Sequence, residues 1–94
     1  MNFEIAPKST ETKLNWNDAR LYCFGLNIDS KIGWRLPTEA EFREFRAFTG
    51  IHWYWSSEER GDRHAKSLYP FPDLVEHDTD LKSCKWSVLA VRDA

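Results

Sequence analysis

The chain has 94 residues, 41% hydrophobic and 15% aromatic, with 13 basic and 15 acidic side chains and a formal net charge of -2. That length holds one domain, 1–94, whose small core must be built from large side chains; 5 Trp, 6 Phe and 3 Tyr supply them. Disorder is excluded by the aromatics, a general phosphate-backbone binder by the near-neutral charge, and a membrane-spanning helix by the shortness of every apolar stretch.

In chain order, Asn2-Phe3-Glu4-Ile5 alternates polar and apolar and predicts a short half-buried strand. Pro7 to Lys13 is polar and reads as a connection. A first helix starts at Asn15, a strong N-cap with Asp18 three residues on. Its buried face carries Trp16, Ala19, Cys23 and Leu26, widened by Tyr22. Asn27 to Gly33 reads as loop. Thr38-Glu39-Ala40-Glu41 is a capping box for a second helix, with Pro37 placed to pack on Phe42. Phe42, Phe45 and Phe48 form its apolar stripe, Glu39 and Arg43 an i,i+4 pair, and Gly50 a stop. Ile51 to Ser56 predicts a strand with Trp53 and Trp55 on one face and His52 and Tyr54 on the other. Trp86 to Val91 is apolar on both faces and reads as one central strand, with the N-terminal strand pairing nearby. Between them, 61–85 offers a strand over Ala65 to Tyr69 and then a long irregular loop interrupted by Pro70 and Pro72. The fold class is therefore α+β, two helices packed on a small antiparallel sheet.

Four blocks occur in a specific order. They are Trp16-x-x-Ala19-x-x-Tyr22-Cys23-x-x-Leu26, Gly33-Trp34-Arg35-Leu36-Pro37-Thr38-Glu39-Ala40-Glu41-Phe42, Tyr54-Trp55-Ser56-Ser57 and Leu89-Ala90-Val91-Arg92. In order and spacing they resemble the bacterial Lcl C-terminal-domain family, over 15–57 and again over 86–93. That family is similar in fold to C-type lectin-like domains, and Arg35 to Glu41 is also similar to a stretch of formylglycine-generating enzymes. The resemblance implies a compact C-type lectin-like domain whose long loop carries binding, and no single activity. In the family a cysteine at the place of Ala90 commonly pairs with the helix-1 cysteine. Ala90 removes that partner from Cys23, and Cys84 lies six residues earlier. Short free-standing versions look like accessory proteins of bacteria or their phages.

Capping and core formation account for Trp34, Leu36, Pro37, Thr38 and Glu41 without invoking a site. Arg35 has surplus chemistry, which a loop carbonyl or helix-2 carboxylate absorbs more simply than a ligand anion does. Cys23 and Cys84 fit no C-x-x-C pattern and read as two thiols; with no signal-peptide pattern at the N-terminus, they point to the cytosol. His52, His64 and His77 lack zinc spacing, and Asp73, Glu76, Asp78 and Asp80 lack the glycine and terminal glutamate of a calcium loop. No metal and no cofactor are expected. Arg43, Arg46, Arg60, Arg63 and Lys66 beside Tyr54 raise single-stranded nucleic acid as a ligand, less favoured because the core needs the aromatics. No nucleophile, base and oxyanion donor converge, so no enzyme activity is expected.

The expected function is a non-catalytic binding module that contacts another protein. Its candidate surface is Leu68-Tyr69-Pro70-Phe71-Pro72-Asp73-Leu74, with Tyr69, Phe71 and Leu74 as anchors and Asp78 and Asp80 as flanking charges. Leu68, Phe71 and Leu74 read equally as plugs for the core. The competing function is an extracellular lectin-like domain that binds a glycan or glycosaminoglycan.

Overall fold

The computed structural model describes residues 2–45, 49–70 and 75–94, without the side chains of Val75 and Glu76. Among these residues, seven strands and two α-helices follow the order β1 (Phe3–Ile5), β2 (Thr12–Leu14), α1 (Trp16–Phe24), α2 (Glu39–Phe45), β3 (Tyr54–Glu59), β4 (His64–Pro70), β5 (Val75–Leu81), β6 (Trp86–Val88) and β7 (Val91–Asp93). The α+β class is as expected.

Local chemistry starts both helices. The Asn15 side chain accepts from the Asp18 amide at 2.9 Å, which satisfies one of the otherwise unpaired donors of α1. In α2 the capping box closes in both directions: Glu41 N–H donates to Thr38 Oγ1 at 3.2 Å, and Thr38 N–H to Glu41 Oε1 at 2.9 Å. Trp16, Ala19 and Cys23 form the buried face of α1, whereas Leu26 and Tyr22 are half-buried. Phe42 and Phe45 are buried on α2; Arg46 and Phe48 lie outside the described residues.

The strands form a two-stranded ribbon, β1-β7, and a five-stranded sheet ordered β2-β6-β3-β4-β5. The first and last strands pair antiparallel with Phe3 opposite Asp93, as the sequence suggested. The large sheet is mixed, because β3 and β6 run parallel. Strand alternation sends successive side chains to opposite faces and so builds two cores. Trp55, Ala65 and Val88 meet Trp16, Ala19 and Cys23 of α1, together with Trp34 and Leu36. Tyr54 and Leu68 meet Phe42 and Phe45 of α2, joined by Phe3, Leu89 and Val91.

Four expectations need correction. Pro7 to Lys13 is more than a connection: after a 3-10 turn at Lys8–Thr10 it enters β2, which pairs with β6. The Ile51 to Ser56 strand begins only at Tyr54, after a bend. Trp86 to Val91 is two strands, not one: β6 joins the large sheet, the chain steps across at Leu89 and Ala90, and β7 joins the ribbon. The expected long irregular loop is mostly a hairpin, in which β4 and β5 pair continuously from His64 opposite Leu81 to Pro70 opposite Val75. Gly61, at φ 98, turns the chain between β3 and β4 in a backbone conformation that glycine adopts freely.

Candidate functional site

The 33–42 block is built as architecture. Trp34 and Leu36 are buried in the α1-side core and Pro37 is fully buried. Trp34 Nε1 donates to the Lys31 carbonyl at 2.9 Å. The Arg35 guanidinium forks onto Glu41, with both N···O distances 2.7 Å, and also donates to Asp93 at 2.7 Å and to the Leu36 carbonyl at 3.3 Å. Its backbone pairs with Val91 of β7 in both directions. The bidentate bond holds the Glu41 carboxyl below the usual carboxylate range, against the opposing effect of burial. Arg35 is thus consumed by its own fold.

The residues expected to bind a partner have separate fates. Phe71, Pro72, Asp73 and Leu74 lie outside the described residues, as does the Glu76 side chain. Leu68 is buried in the α2-side core. Asp78 is exposed and accepts from the neighbouring Thr79 amide at 2.8 Å. Asp80 accepts from Ser67 Oγ at 2.6 Å and from Trp86 Nε1 at 3.1 Å, so it ties β5 to β4 and to the start of β6.

Tyr69 lies in a different setting from the one its sequence neighbours suggest. Its ring meets that of Trp53 at 5.2 Å between centroids, tilted by 54°. Both are half-buried and, with Trp86, line a depression of about 240 Å³ whose rim carries Lys13, Lys85 and His52. A second depression of about 290 Å³ shares Lys13, His52 and Ser87 and continues towards Lys8 and Glu11. Trp55, its partner Ser67 and Tyr69 occupy strand positions that project to one side of the sheet, and Trp53, just before β3, meets Tyr69 there. Where α1 covers that side it is core; beyond α1 it is this aromatic strip. Indole N–H groups of Trp16, Trp34, Trp55 and Trp86 donate to protein oxygens. That of Trp53 has no such acceptor among the described residues. The placement of Trp53 with Trp55 was legible from alternation, whereas Trp86, Lys13 and Lys85 reach the strip only through the β2-β6-β3 strand order.

A larger cleft of about 510 Å³ opens beside α1, with Trp34, Leu36 and Leu21 among its walls. Leu21 is 69% exposed and Phe24, which also lines it, 80%. Two large apolar side chains three apart on the solvent side of a helix were the available sequence signal.

Of the basic side chains raised as a patch beside Tyr54, Arg46 lies outside the described residues, and Arg43, Arg60 and Lys66 are engaged by carboxylates. Tyr54 is buried and donates its hydroxyl to Glu11 at 2.8 Å; burial, reinforced by that carboxylate, pushes its phenol above its usual range. Arg43 pairs with Glu39, Arg60 with Glu58, and Lys66, only 8% exposed, lies 2.6 Å from Glu39. Among the described residues no three His, Cys, Asp or Glu side chains gather as a metal-holding group. Cys23 and Cys84 are free thiols. Burial pushes the Cys23 thiol up to about 12, where the reactive thiolate is scarce.

Among the described residues, the chain is an α+β domain that carries an aromatic, lysine-rimmed strip and an apolar cleft beside α1. Neither a scan against protein-family models nor a search of curated proteins finds a match for this chain. Among the described residues, no helix is long and apolar enough to cross a membrane.

Proposed function

We propose that the protein is a non-catalytic binding module that contacts another protein through the Trp53–Tyr69–Trp86 strip. One observation carries this reading: three half-buried aromatic side chains line one depression, two of them in ring contact, with Lys13 and Lys85 at its rim and no acidic side chain in its lining. Tyr and Trp dominate interface hot spots because they bury much area while losing little side-chain freedom. The lysines favour an acidic partner surface and speed its approach. The ion-paired state of Arg35, Glu39 and Lys66, and the buried Cys23 thiol, support a structural rather than catalytic use of the reactive side chains. Two free thiols suit a reducing compartment, and we place the protein in the cytoplasm. Two helices on a small sheet are also what the Lcl-like, C-type lectin-like assignment implies, and we retain that assignment. In it, the hairpin and its aromatic strip stand where a long loop was expected.

A glycan is the competing ligand, since the same rings offer flat apolar surfaces to a sugar ring and the lysines suit sulfate groups. Calorimetry with a partner captured on the immobilised domain separates the two. Tyr69→Ala with Lys85→Glu is expected to weaken protein binding at least about 30-fold while the melting transition moves little. Undiminished binding by that variant, or saturable binding of sulfated oligosaccharide at the strip with no protein partner, overturns the protein reading.

A further inference from the structure

The α1 cleft shares no lining residue with the aromatic strip, and its chemistry differs. Its volume of about 510 Å³ falls within the roughly 300–1,000 Å³ typical of small-molecule sites. Trp34 and Leu36 bring apolar surface to it, and Leu21 and Phe24 add side chains otherwise left in water. Asn17 and Ser57 add neutral polar groups, and no lining side chain is acidic. Ser57 reaches this edge because β3 bulges there: the register with β4 shifts between Trp55 and Glu59, and Ser57 N–H donates to the Pro37 carbonyl at 2.8 Å.

Two arginines, Arg20 and Arg35, line the cleft, and they are not equivalent. Arg35 is neutralised by Glu41 and Asp93. Arg20 makes no ion pair with any described carboxylate. Its guanidinium carbon rests 4.8 Å from the centre of the Trp16 ring, which steadies it while leaving its N–H edge available. Glu59 feels the Arg20 charge, but its carboxylate oxygen is held by Lys82. An apolar slot with one uncommitted, pre-positioned guanidinium complements a molecule with an apolar body and a single negative end.

We propose that this cleft is a second binding site, for a small carboxylate carried on an aromatic or branched aliphatic body, with Arg20 as the anion partner and Leu21, Phe24, Trp34 and Leu36 as the walls.

The test is an NMR titration of the ¹⁵N-labelled protein with 3-phenylpropionate, using 3-phenylpropionamide as the neutral counterpart. Saturable shifts are expected at the Trp34 indole N–H and at the Leu21 and Phe24 amides, with the amide binding at least about tenfold more weakly. Arg20→Gln is expected to weaken carboxylate binding by about tenfold. Because Arg20 also touches Trp16, a second variant guards against loss of fold: Phe24→Glu alters a side chain in solvent, should melt like the parent and should abolish carboxylate binding by repulsion. Equal affinity for the amide, unchanged binding by a folded Phe24→Glu, shifts confined to the Trp53 and Trp86 indoles, or no saturable shift below about 10 mM each overturn the proposal.

Discussion

Arg35 shows how one residue can join three parts of the chain. Its side chain binds the start of α2 through Glu41 and the end of β7 through Asp93, while its backbone pairs with Val91. The Glu41 half of this arrangement makes stability depend on acid. Hydrogen bonding from Arg35 and Thr38 holds the Glu41 carboxyl below its ordinary value of 4.5. A depressed carboxyl contributes its full stabilisation above the unfolded value and loses it as pH falls through the folded one. The melting temperature of the parent should therefore hold from neutrality to about pH 5 and then drop. Glu41→Gln should melt lower at pH 7 and fall less steeply in acid, so that the two curves converge. Glu39, held down chiefly by Lys66, keeps some acid sensitivity in the variant. Scanning calorimetry across this range that gives parallel curves would refute the linkage. The Thr38–Glu41 half of the site was legible because both partners lie within one turn of helix. Its Asp93 arm was not, because it exists only after β7 has found β1.

At the scale of elements, the two unforeseen strands share a place. β2 and β5 are the outer strands of the five-stranded sheet, and their sequences, Thr-Lys-Leu and Val-Glu-His-Asp-Thr-Asp-Leu, carry little hydrophobic alternation. An edge strand has less to bury, and charges along it discourage pairing with other chains. Period-2 patterning reports burial of one face, so it finds β4 and misses β5. β6 and β7 failed differently: continuous apolarity marks Val88 to Val91 as buried without saying that the chain changes sheets there. The acidic pattern on β5 also conceals two roles, which stability measurements should separate. Asp80→Ala removes the acceptor of the Trp86 indole and the close acceptor of the buried Ser67 hydroxyl, leaving the latter only the Asp78 carbonyl at 3.5 Å, and should cost about 1–3 kcal/mol. Asp78→Ala, at an exposed position, should stay within about 0.5 kcal/mol of the parent. Urea melts showing equal costs would mean that Asp80 has no special part in the hairpin.

The whole molecule is a sheet between two unlike cores. One is dominated by tryptophan against α1, the other by phenylalanine and tyrosine against α2. The helix starts and most of the core membership could be read from sequence because caps and periodicity are local signals. The aromatic strip and the α1 cleft could not, since each gathers side chains from segments far apart in the chain. That same distance governs time. With Phe3 opposite Asp93 and Thr12 opposite Val88, the pairings that close the structure must each organise a loop of most of the chain before they return any contact energy. Such topologies fold in roughly milliseconds to seconds, and the β1-β7 ribbon should be absent from the transition state while the β4-β5 hairpin is already formed. Ile5→Ala is then expected to leave the refolding rate nearly unchanged in stopped-flow experiments and to speed unfolding. A slowed refolding limb would instead place the ribbon in the nucleus. Late, reversible fraying of the ribbon would also break the Arg35–Val91 bridge and the Arg35–Asp93 bond, so hydrogen exchange should register the Arg35 and Val91 amides as one opening unit.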